Sequence, residues 1–215
     1  ALDGNTSGTI DASNITTLTG SASDLIIAYA SGGITGLGDE AVNVSSGTAS
    51  TAQAKTLAAA TSGVVTATIA DGDMATLAGL NESGHTYAIS ITDNSVAAAA
   101  LNNLDSTTSV AINATAITSI TGSISDIANV YTSSGFNGLG NESLIFSFSN
   151  ISAADLNAID QANSRVIDGS GIAALTGSAT ELNAVYSSSG ISGLGNEAIT
   201  LTDTALVGAV LNTLD

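Results

Sequence analysis

The stretch Thr19-Gly20-Ser21-Ala22-Ser23-Asp24-Leu25 decides the fold, because closely similar stretches recur without gaps at residues 121–127 and 176–182. A tyrosine follows each copy at the same distance, and a glycine-rich turn, Gly-Leu-Gly-Asp/Asn-Glu, follows each tyrosine. A second phrase, Leu-Asn-x-Leu/Ile-Asp, ends at positions 105, 160 and 215, and its even spacing equals that between the last two copies of the first phrase. Repeated phrases that share one spacing predict an array of similar structural units.

The residues between these phrases predict strands that alternate with helices. Short alternating segments are typical of strands, and the Ala- and Leu-rich stretches between them have helical spacing. Each repeated phrase predicts a helix start, because its serine stands three residues before an acid, as Ser21 does before Asp24, in the pattern of a capping box. The glycine-rich turn predicts a helix-to-strand connection with glycine at positive φ. Asp203 predicts the cap of a last helix that buries Leu206 and Leu214.

Strand–helix–strand connections of this length predict parallel strands, since a helical crossover cannot join a hairpin. Successive predicted strands lie roughly 22 or roughly 33 residues apart along the sequence. We therefore expect an α/β fold: a right-handed β-α solenoid with about eight parallel strands in one sheet and helices on one face. One solenoid covers residues 1–215. Its strongest copies are residues 1–46, 106–160 and 161–215, with irregular short rungs at 47–105.

The alternation within the predicted strands assigns polar side chains to the side away from the helices. A parallel sheet normally has both faces covered and is apolar throughout, so a polar set indicates a face open to water or to a polar partner. We expect this set to form an interaction face. Its members are Asn43, Ser45, Thr66, Thr68, Ser90, Thr92, Asn113, Ser147, Thr200 and Thr202.

Composition excludes several classes of function. The 215 residues carry a formal charge of −17, and Lys55 and Arg165 are the only two basic residues besides one histidine. Binding nucleic acid through its phosphates requires basic side chains, so a nucleic-acid partner is not expected. No apolar run is long enough for membrane insertion. The chain has no cysteine, which excludes disulfides and thiolate metal sites.

Candidate catalytic or metal-binding groups are few. His85 stands alone and is expected to be an ordinary surface or turn histidine, because neither a metal site nor a catalytic dyad has partners for it. The glycine-rich turns end in an acid, which would repel phosphate. Their acids, Glu40, Glu142 and Glu197, offer few of the six to eight oxygens that calcium prefers. We therefore expect no catalytic residue, cofactor or metal, with calcium at these turns as the open alternative. An ice-binding array of threonines is a further alternative for the polar set.

Four phrases carry a resemblance to a known family: Leu-Asn-Thr-Leu-Asp, Thr-Gly-Ser-Ala-Ser-Asp-Leu, Ala-Ile-Thr-Leu-Thr-Asp-Thr, and the run from Tyr29 to Val42. The chain resembles the long Ala/Ser/Thr-rich repeats of giant marine cyanobacterial cell-surface proteins, of the swimming-associated Synechococcus type. The resemblance implies a secreted, surface-attached array and carries over no functional residue.

The sequence as a whole predicts a structural repeat segment of a long extracellular or cell-surface protein or filament. We expect its polar face to serve self-association or adhesion, with partners that are other copies, end to end or lateral, or neighbouring repeats of the same long chain. The alternative is a ligand-binding adhesion module for glycan, ice or calcium-assisted cell contact. An enzyme is not expected.

Overall fold

The computed structural model describes residues 3–147 and 150–211. After a 3-10 turn at Asp3–Asn5, the first half of the chain contains β1 (Ile10–Asp11), β2 (Thr17–Ser21), α1 (Ala22–Ala30), β3 (Ile34–Thr35), β4 (Ala41–Ser46), α2 (Thr51–Ala60), β5 (Val65–Thr68), α3 (Met74–Leu77), β6 (Thr86–Ala88), β7 (Ser95–Ala97) and α4 (Ala98–Asp105). The second half contains β8 (Ile112–Asn113), β9 (Ser119–Gly122), α5 (Ile124–Thr132), β10 (Phe136–Asn137), β11 (Ser143–Phe146), β12 (Asn150–Ser152), α6 (Ala153–Ala162), β13 (Ile167–Asp168), β14 (Ala174–Gly177), α7 (Ala179–Ser187), β15 (Ile191–Ser192), β16 (Ala198–Leu201) and α8 (Gly208–Leu211).

The chain forms an α/β fold in which short parallel strands alternate with helices in several small sheets. It divides into two compact units, the first built from Ala1–Thr92 with Asn103–Asn113 and the second from Asp93–Asn102 with Ala114–Asp215. In the first unit, a sheet of order β2-β4-β5-β6 lies beside a pair, β1-β3. The second unit contains the sheets β7-β9-β11 and β12-β14-β16 and the pair β13-β15. Among the described residues, no helix has the length and apolar character needed to cross a bilayer.

The expectation of about eight strands in one sheet is therefore wrong, and so are the two expected spacings between successive strands. Most pairs of hydrogen-bonded strands are separated by the same number of residues along the chain, which is the number from Ser119 of β9 to its partner Ser143 of β11. We call this separation the pairing interval. The difference arises because the chain from Ile10 to Ser21 holds two strands, β1 and β2, that belong to different sheets. Ile10 pairs with Ile34 in β3, and the strand that contains Val42 pairs with β2 instead.

The short step from Ser143 to Asn150 explains the spacing of the repeated phrases. Ser143 lies one pairing interval after its partner Ser119 in β9, and Asn150 lies one pairing interval before its partner Ala174 in β14. One repeat therefore consists of two pairing intervals joined by this step. The interval is shorter at two places in the first unit: by one residue where Val42 pairs with Val65, and by more where Thr66 pairs with Thr86.

The predicted caps are present at the three repeated helices. Ser21, Ser123 and Ser178 each accept a hydrogen bond from the backbone N–H three residues on, at 3.1, 3.1 and 3.3 Å. The reciprocal half of the box forms only at Ser178, whose N–H donates to Glu181 at 2.7 Å. Aspartate is one methylene shorter than glutamate. Accordingly, the Asp24 carboxylate accepts from the Ser21 hydroxyl at 2.6 Å instead.

Asp203 does not cap the last helix, contrary to expectation. Its carboxylate accepts a hydrogen bond from the N–H of Ala179, at the start of α7, at 2.7 Å. Asp71 does the same for Thr51, the first residue of α2, also at 2.7 Å. An acid that follows one strand therefore stabilises the start of an earlier helix, where backbone N–H groups lack intrahelical partners. Helix α8 begins at Gly208, and Leu214 lies outside the described residues.

The core consists of aliphatic side chains with few aromatics. In the first unit Leu57, Val65 and Leu77 are fully buried, and in the second unit Leu156 and Leu175 are fully buried. Such side chains stabilise the fold by about 25 cal/mol per Å² of apolar surface removed from water. Each small sheet therefore depends on the helices packed against it, as β14 depends on α6 and α7.

Candidate interaction face

All ten residues of the predicted polar set are exposed in the structure. Their strand neighbours on the other side are buried in the first unit, where Val42, Val44 and Ala67 have relative exposures of 1 %, 7 % and 4 %. The alternation that defined the set is confirmed there. Its role as an interaction face stays a prediction.

Seven members lie in the first unit, where strand pairing aligns several of them. Asn43 in β4 pairs with Thr66 in β5, and Thr66 pairs with Thr86 in β6. Thr19 in β2 pairs with Asn43 on the other side and extends this row of polar side chains. Such a row across parallel strands repeats hydroxyl and amide groups at about the 4.8 Å strand spacing.

Ser90 and Asn113 form a separate polar pair within the first unit. They share an isolated parallel bridge, and the Asn113 amide donates to the Ser90 hydroxyl at 3.5 Å. The remaining three members of this unit lie at three separate places along the chain. They are Ser45 in β4, Thr68 at the end of β5, and Thr92, whose N–H donates to Gly72.

The other three members lie in the second unit, where the polar pattern is less regular. Thr200 in β16 pairs with Thr176 in β14, and Thr176 pairs with Ser152 in β12. In the neighbouring sheet, Thr121 pairs with Ile145, which is 56 % exposed. An apolar side chain therefore stands at the repeat position that Thr200 occupies in β16, and the set is not a uniform threonine array. Ser147 and Thr202 follow β11 and β16 and donate their N–H groups to Gly122 and Gly177.

The glycine-rich turns are closed by a hydrogen-bonded clasp between a tyrosine and a glutamate that follows it at a fixed distance in the chain. Tyr131 donates its phenolic hydrogen bond to Glu142 at 2.6 Å, and Tyr186 donates to Glu197 at 2.6 Å. The first copy joins Tyr29 to Glu40 in the same way. Burial of the ring and the neighbouring carboxylate of Glu142 raise the pKa of the Tyr131 hydroxyl far above its ordinary value.

Each glutamate also accepts from the backbone of its own turn. The Glu40 carboxylate accepts from the N–H of Gly38 at 2.9 Å, and Glu197 accepts from Gly195 at 2.9 Å. Burial raises the pKa of Glu40, but the hydrogen bonds from Tyr29 and from the turn amides lower it more, so the pKa lies below its ordinary value. The same balance lowers the pKa of Glu197. These carboxylates are therefore ionised and already supplied with donors.

The turn requires glycine, as the sequence predicted. Gly36 has a φ of 82°, and a Cβ there would lie 2.7 Å from the backbone nitrogen of Ser13. Gly193 has a φ of 79°, and its Cβ would lie 2.9 Å from the nitrogen of Ser170. Both the left-handed conformation and the close approach exclude larger residues.

The chain that follows the next helix completes the clasp. Asn163, the C-cap of α6, donates its amide to the carbonyl of Glu142 at 2.9 Å and to the Tyr131 hydroxyl at 3.2 Å. In the first unit, Thr61, the C-cap of α2, donates to the carbonyl of Glu40 at 2.7 Å. No sequence signal indicated this role for the two residues, because their types differ between the copies.

These contacts bear on the calcium alternative at the turns. Within the described residues, no three histidine, cysteine or acidic side chains lie close enough to hold a metal ion. Glu40 and Glu142 are 1 % and 3 % exposed, and their oxygens face donors rather than solvent. Their arrangement is that of a turn-stabilising group.

His85 is buried, with a relative exposure of 7 %, and the expectation of a surface or turn histidine is wrong. Its Nδ1 accepts a hydrogen bond from the N–H of Val65 at 3.2 Å, and its ring lies 5.3 Å from that of Tyr87. Burial lowers the pKa of His85, against a smaller opposing effect of Glu82. The neutral imidazole therefore serves as a backbone acceptor at the start of β5.

Comparison with known proteins identifies no relative: no family model, curated protein or solved structure matches this chain. Its function therefore has to be argued from its own repeats.

Proposed function

We propose that the chain is a structural repeat segment of a long extracellular or cell-surface protein or filament, folded as a right-handed β-α solenoid. In this proposal the polar set is presented for self-association or adhesion. The observation that carries it is the recurrence of the same pairing interval, from Thr17 to Ala41 in the first unit and from Ala174 to Ala198 in the second. A recurring interval is the signature of stacked repeats that contact mainly their neighbours.

The Tyr–Glu clasp supports a mechanical role. It satisfies an ionised carboxylate inside the turn, where an unpaired buried charge would be costly. The third partner, Asn163 or Thr61, comes from the chain that follows the next helix, so the turns that contain Glu142 and Glu40 are each fixed by a later part of the chain. Repetition of such contacts gives a stiff element whose strength is distributed along the chain.

The excess of acidic residues supports a location outside the cell in a medium of high salt concentration. At low salt a net charge of −17 makes copies of the chain repel one another. At about 0.5 M salt the screening length falls to a few ångströms, and contacts between uncharged polar rows become possible. The polar set contains only Asn, Ser and Thr, which form hydrogen bonds without adding charge.

The experiment compares lysine substitutions on and off the polar set. Asn43→Lys with Thr66→Lys places two bulky charges on the row, and Ala52→Lys with Ala59→Lys places the same charges on the exposed side of α2. We expect the first variant to lose salt-driven lateral association, measured by light scattering, and the second to retain it. Equal behaviour of the two variants would contradict a role for the face.

The solenoid itself is tested by small-angle scattering from a monomeric sample. Repeats stacked in a single solenoid would give an elongated scattering profile, distinguishable from that of a sphere of the same mass. A compact spherical profile would overturn the stacking while leaving the exposed polar rows intact.

The second candidate function is a ligand-binding adhesion module. The row Ser152–Thr176–Thr200, aligned by two strand pairings, is the feature that supports it. A rise in melting temperature with a glycan or calcium, or inhibition of ice growth, would favour this candidate over a purely structural segment.

A further inference from the structure

The side chain of His85 takes the place of a backbone acceptor at the start of β5. Thr66 of β5 pairs with Thr86 of β6, so Val65 and His85, one residue earlier in each segment, stand at the preceding position of the same register. The Val65 N–H donates to Nδ1 of the His85 imidazole at 3.2 Å, rather than to a backbone carbonyl. A side chain therefore completes the hydrogen bonding between these two segments.

Another strand pair shows which acceptor this position would normally have. Ile10 pairs with Ile34, and its N–H donates to the carbonyl of Gly33, the residue before that partner, at 2.8 Å. By the same rule of parallel pairing, the acceptor for Val65 would be the carbonyl of Gly84. Gly84 has a φ of 86°, so the chain turns at this point and the ladder of backbone bonds is interrupted.

The imidazole lies in a buried environment with little polar support. His85 is 7 % exposed, and Tyr87, whose ring centroid lies 5.3 Å from that of His85, is 1 % exposed. The Tyr87 hydroxyl is buried without a hydrogen-bond partner among the described residues. A charge placed in such surroundings is costly unless it gains partners.

The groups that face the imidazole include one opposing charge. Glu82, in the loop before β6, favours protonation of the ring, but burial has the larger effect and lowers the pKa of His85. Tyr87 stays neutral in acid, because burial raises the pKa of its hydroxyl above the ordinary value of 10.0. The chain after α4 contributes the hydroxyl groups of Thr108 and Ser109, and the start of β5 contributes two valines.

We propose that the bond from the Val65 N–H to Nδ1 of His85 is an acid-sensitive latch between β5 and β6. A neutral imidazole accepts through Nδ1 and carries its own proton on Nε2, whereas an imidazolium donates from both nitrogens and accepts at neither. A proton taken from solvent at Nδ1 therefore breaks the bond and leaves the buried Val65 amide without an acceptor. This inference goes beyond the proposed function and does not depend on it.

The backbone of His85 keeps its own links when the latch opens. Its carbonyl accepts from the Ser109 N–H at 3.0 Å and from the Ser109 hydroxyl at 3.2 Å. Neither bond involves the imidazole, so protonation of the ring leaves both in place. The opening is therefore local: it separates β6 from the start of β5 and leaves β6 attached to the chain after α4.

The latch operates in mild acid. Folding lowers the pKa of His85, so the unfolded chain binds the proton at a higher pH than the folded chain does. The stabilisation from the neutral ring is fully present above the ordinary pKa of 6.5 and is lost as the pH falls below it. His85 is the only histidine in the sequence, and the carboxylates of Glu40 and Glu197 stay ionised until the pH falls below 4.5. The latch is therefore separated from the acid effect of the Tyr–Glu clasps.

The test follows two amide protons by hydrogen exchange in NMR spectra, at about pH 7 and about pH 5, the range in which histidine titrates. The Val65 N–H should lose protection by about tenfold in acid, which corresponds to one buried donor left unpaired. The Ser109 N–H, whose acceptor is the carbonyl of the same histidine, should keep its protection and is the internal control. Low salt keeps copies of the acidic chain apart, so the result is independent of self-association.

Two substitutions separate the acceptor from its titration. His85→Asn places an amide oxygen near the position of Nδ1, which accepts without titrating, so the Val65 amide should stay protected at both pH values. His85→Ala has no acceptor, so protection at Val65 should already be low at neutral pH and should fall no further in acid. Circular dichroism checks that each chain is folded.

A second pair of variants tests the charge that faces the ring. Glu82→Gln removes the charge that favours protonation, so the loss of Val65 protection should move to lower pH. Asp39→Asn removes the same charge from an exposed position elsewhere in the first unit and should leave the transition where it is. The shift of the imidazole Cε1 proton reports the titration of His85 in each chain.

Equal loss of protection at Val65 and Ser109 would overturn the latch, because it would mean that this part of the unit opens as a whole. A Val65 amide that stays protected while His85 titrates would do the same, as would a His85→Asn chain that responds to acid as wild type does. The two wild-type amides decide the question even where a variant does not fold.

Discussion

Tyr131 and Glu142 are joined by a 2.6 Å hydrogen bond that holds the turn between α5 and β11. Glu142 is almost fully buried, and its other contacts come from the turn amides and from Asn163, which contacts both the tyrosine hydroxyl and the glutamate carbonyl. A polar cluster of this kind stabilises only when every member is satisfied. The first predictions concern this cluster.

Removing the Tyr131 hydroxyl should destabilise the second unit. Tyr131→Phe keeps the ring but removes one donor from a buried carboxylate, which then has only the turn amides of Gly140 and Asn141, at a cost of about 1–3 kcal/mol in the free energy of unfolding. Urea denaturation measures the change. Tyr186→Phe is the matched control, because the Tyr186–Glu197 clasp is exposed to solvent and water replaces the lost donor. Equal losses in the two variants would show that burial of the clasp is unimportant.

Stability should fall in acid because of Glu40 and Glu197. Their folded-state pKa values lie below the ordinary value of 4.5, so protons bind more tightly to the unfolded chain. The stabilisation is present above pH 4.5 and is lost as the pH falls through the folded-state pKa. Denaturation midpoints measured from neutral pH into the acid range test this, with Glu40→Gln and Glu197→Gln together expected to flatten the decline.

Stability should also fall in alkali, because the tyrosines of the clasps have raised pKa values. The folded-state pKa of Tyr131 lies above its ordinary value of 10.0. The neutral form is therefore favoured by folding, and its contribution is full below pH 10.0 and is lost as the pH rises beyond it. Tyr131→Phe should weaken this alkaline loss. An unchanged profile would mean that the hydroxyl ionises as freely in the folded chain as in the unfolded one.

The turn glycines should not tolerate alanine. Gly36→Ala forces a Cβ into the left-handed region and against the backbone of Ser13, so we expect a loss of about 2 kcal/mol or more. Gly32→Ala, where the added Cβ would meet nothing within 4 Å, is the control and should change stability by less than about 0.5 kcal/mol. Thermal unfolding of both variants gives the comparison.

The repeated asparagine should stabilise the fold at its two described positions. Asn157→Ala removes the hydrogen bond from the side-chain amide to the carbonyl of Glu181, and Asn102→Ala removes the equivalent bond to the carbonyl of Asp126. Each variant should lower the free energy of unfolding by about 1 kcal/mol, measured by urea denaturation. Asn103→Ala, at an exposed neighbouring position, is the control. A loss at Asn103 as large as that at Asn102 would contradict a role for these hydrogen bonds.

Calcium should not alter the solution mass. The glutamates of the turns already accept from tyrosine and backbone donors, so millimolar calcium has no set of free oxygens at these turns. Raising the salt from low concentration to about that of seawater should increase the mass by screening the acidic charge. A change that needs calcium would instead reveal a metal site at the turns.

Local patterns predicted much of the fold. The repeated Ser-x-x-Asp/Glu spacing located three helix starts, and the alternation in β4 and β5 separated buried valines from exposed Asn43 and Thr66. The interval between paired strands was not predictable from these patterns. Strands such as β3, which consists of Ile34 and Thr35 alone, are too short for alternation to reveal them, and a strand missed there changes the apparent spacing.

Contacts between neighbouring repeats could not be predicted from the sequence either. Thr61 and Asn163 perform the same function with different side chains, and Asp203 stabilises the start of the earlier helix α7 rather than its own. His85 shows the same limit, because a single histidine gives no pattern from which burial follows. The asparagine of the Leu-Asn-x-Leu/Ile-Asp phrase was visible by its recurrence, but its acceptor became evident only in three dimensions.

The pairing interval sets how the chain would yield under tension. Detaching β16 from β14 frees the intervening chain in one step, which adds roughly 80 Å of extended length before the next pair bears the force. A pulled chain would therefore lengthen in similar increments, smaller where the pairing interval is shorter, and each would absorb work and could re-form on relaxation. In a long run of such repeats, the total extension and the total work absorbed would increase with the number of repeats.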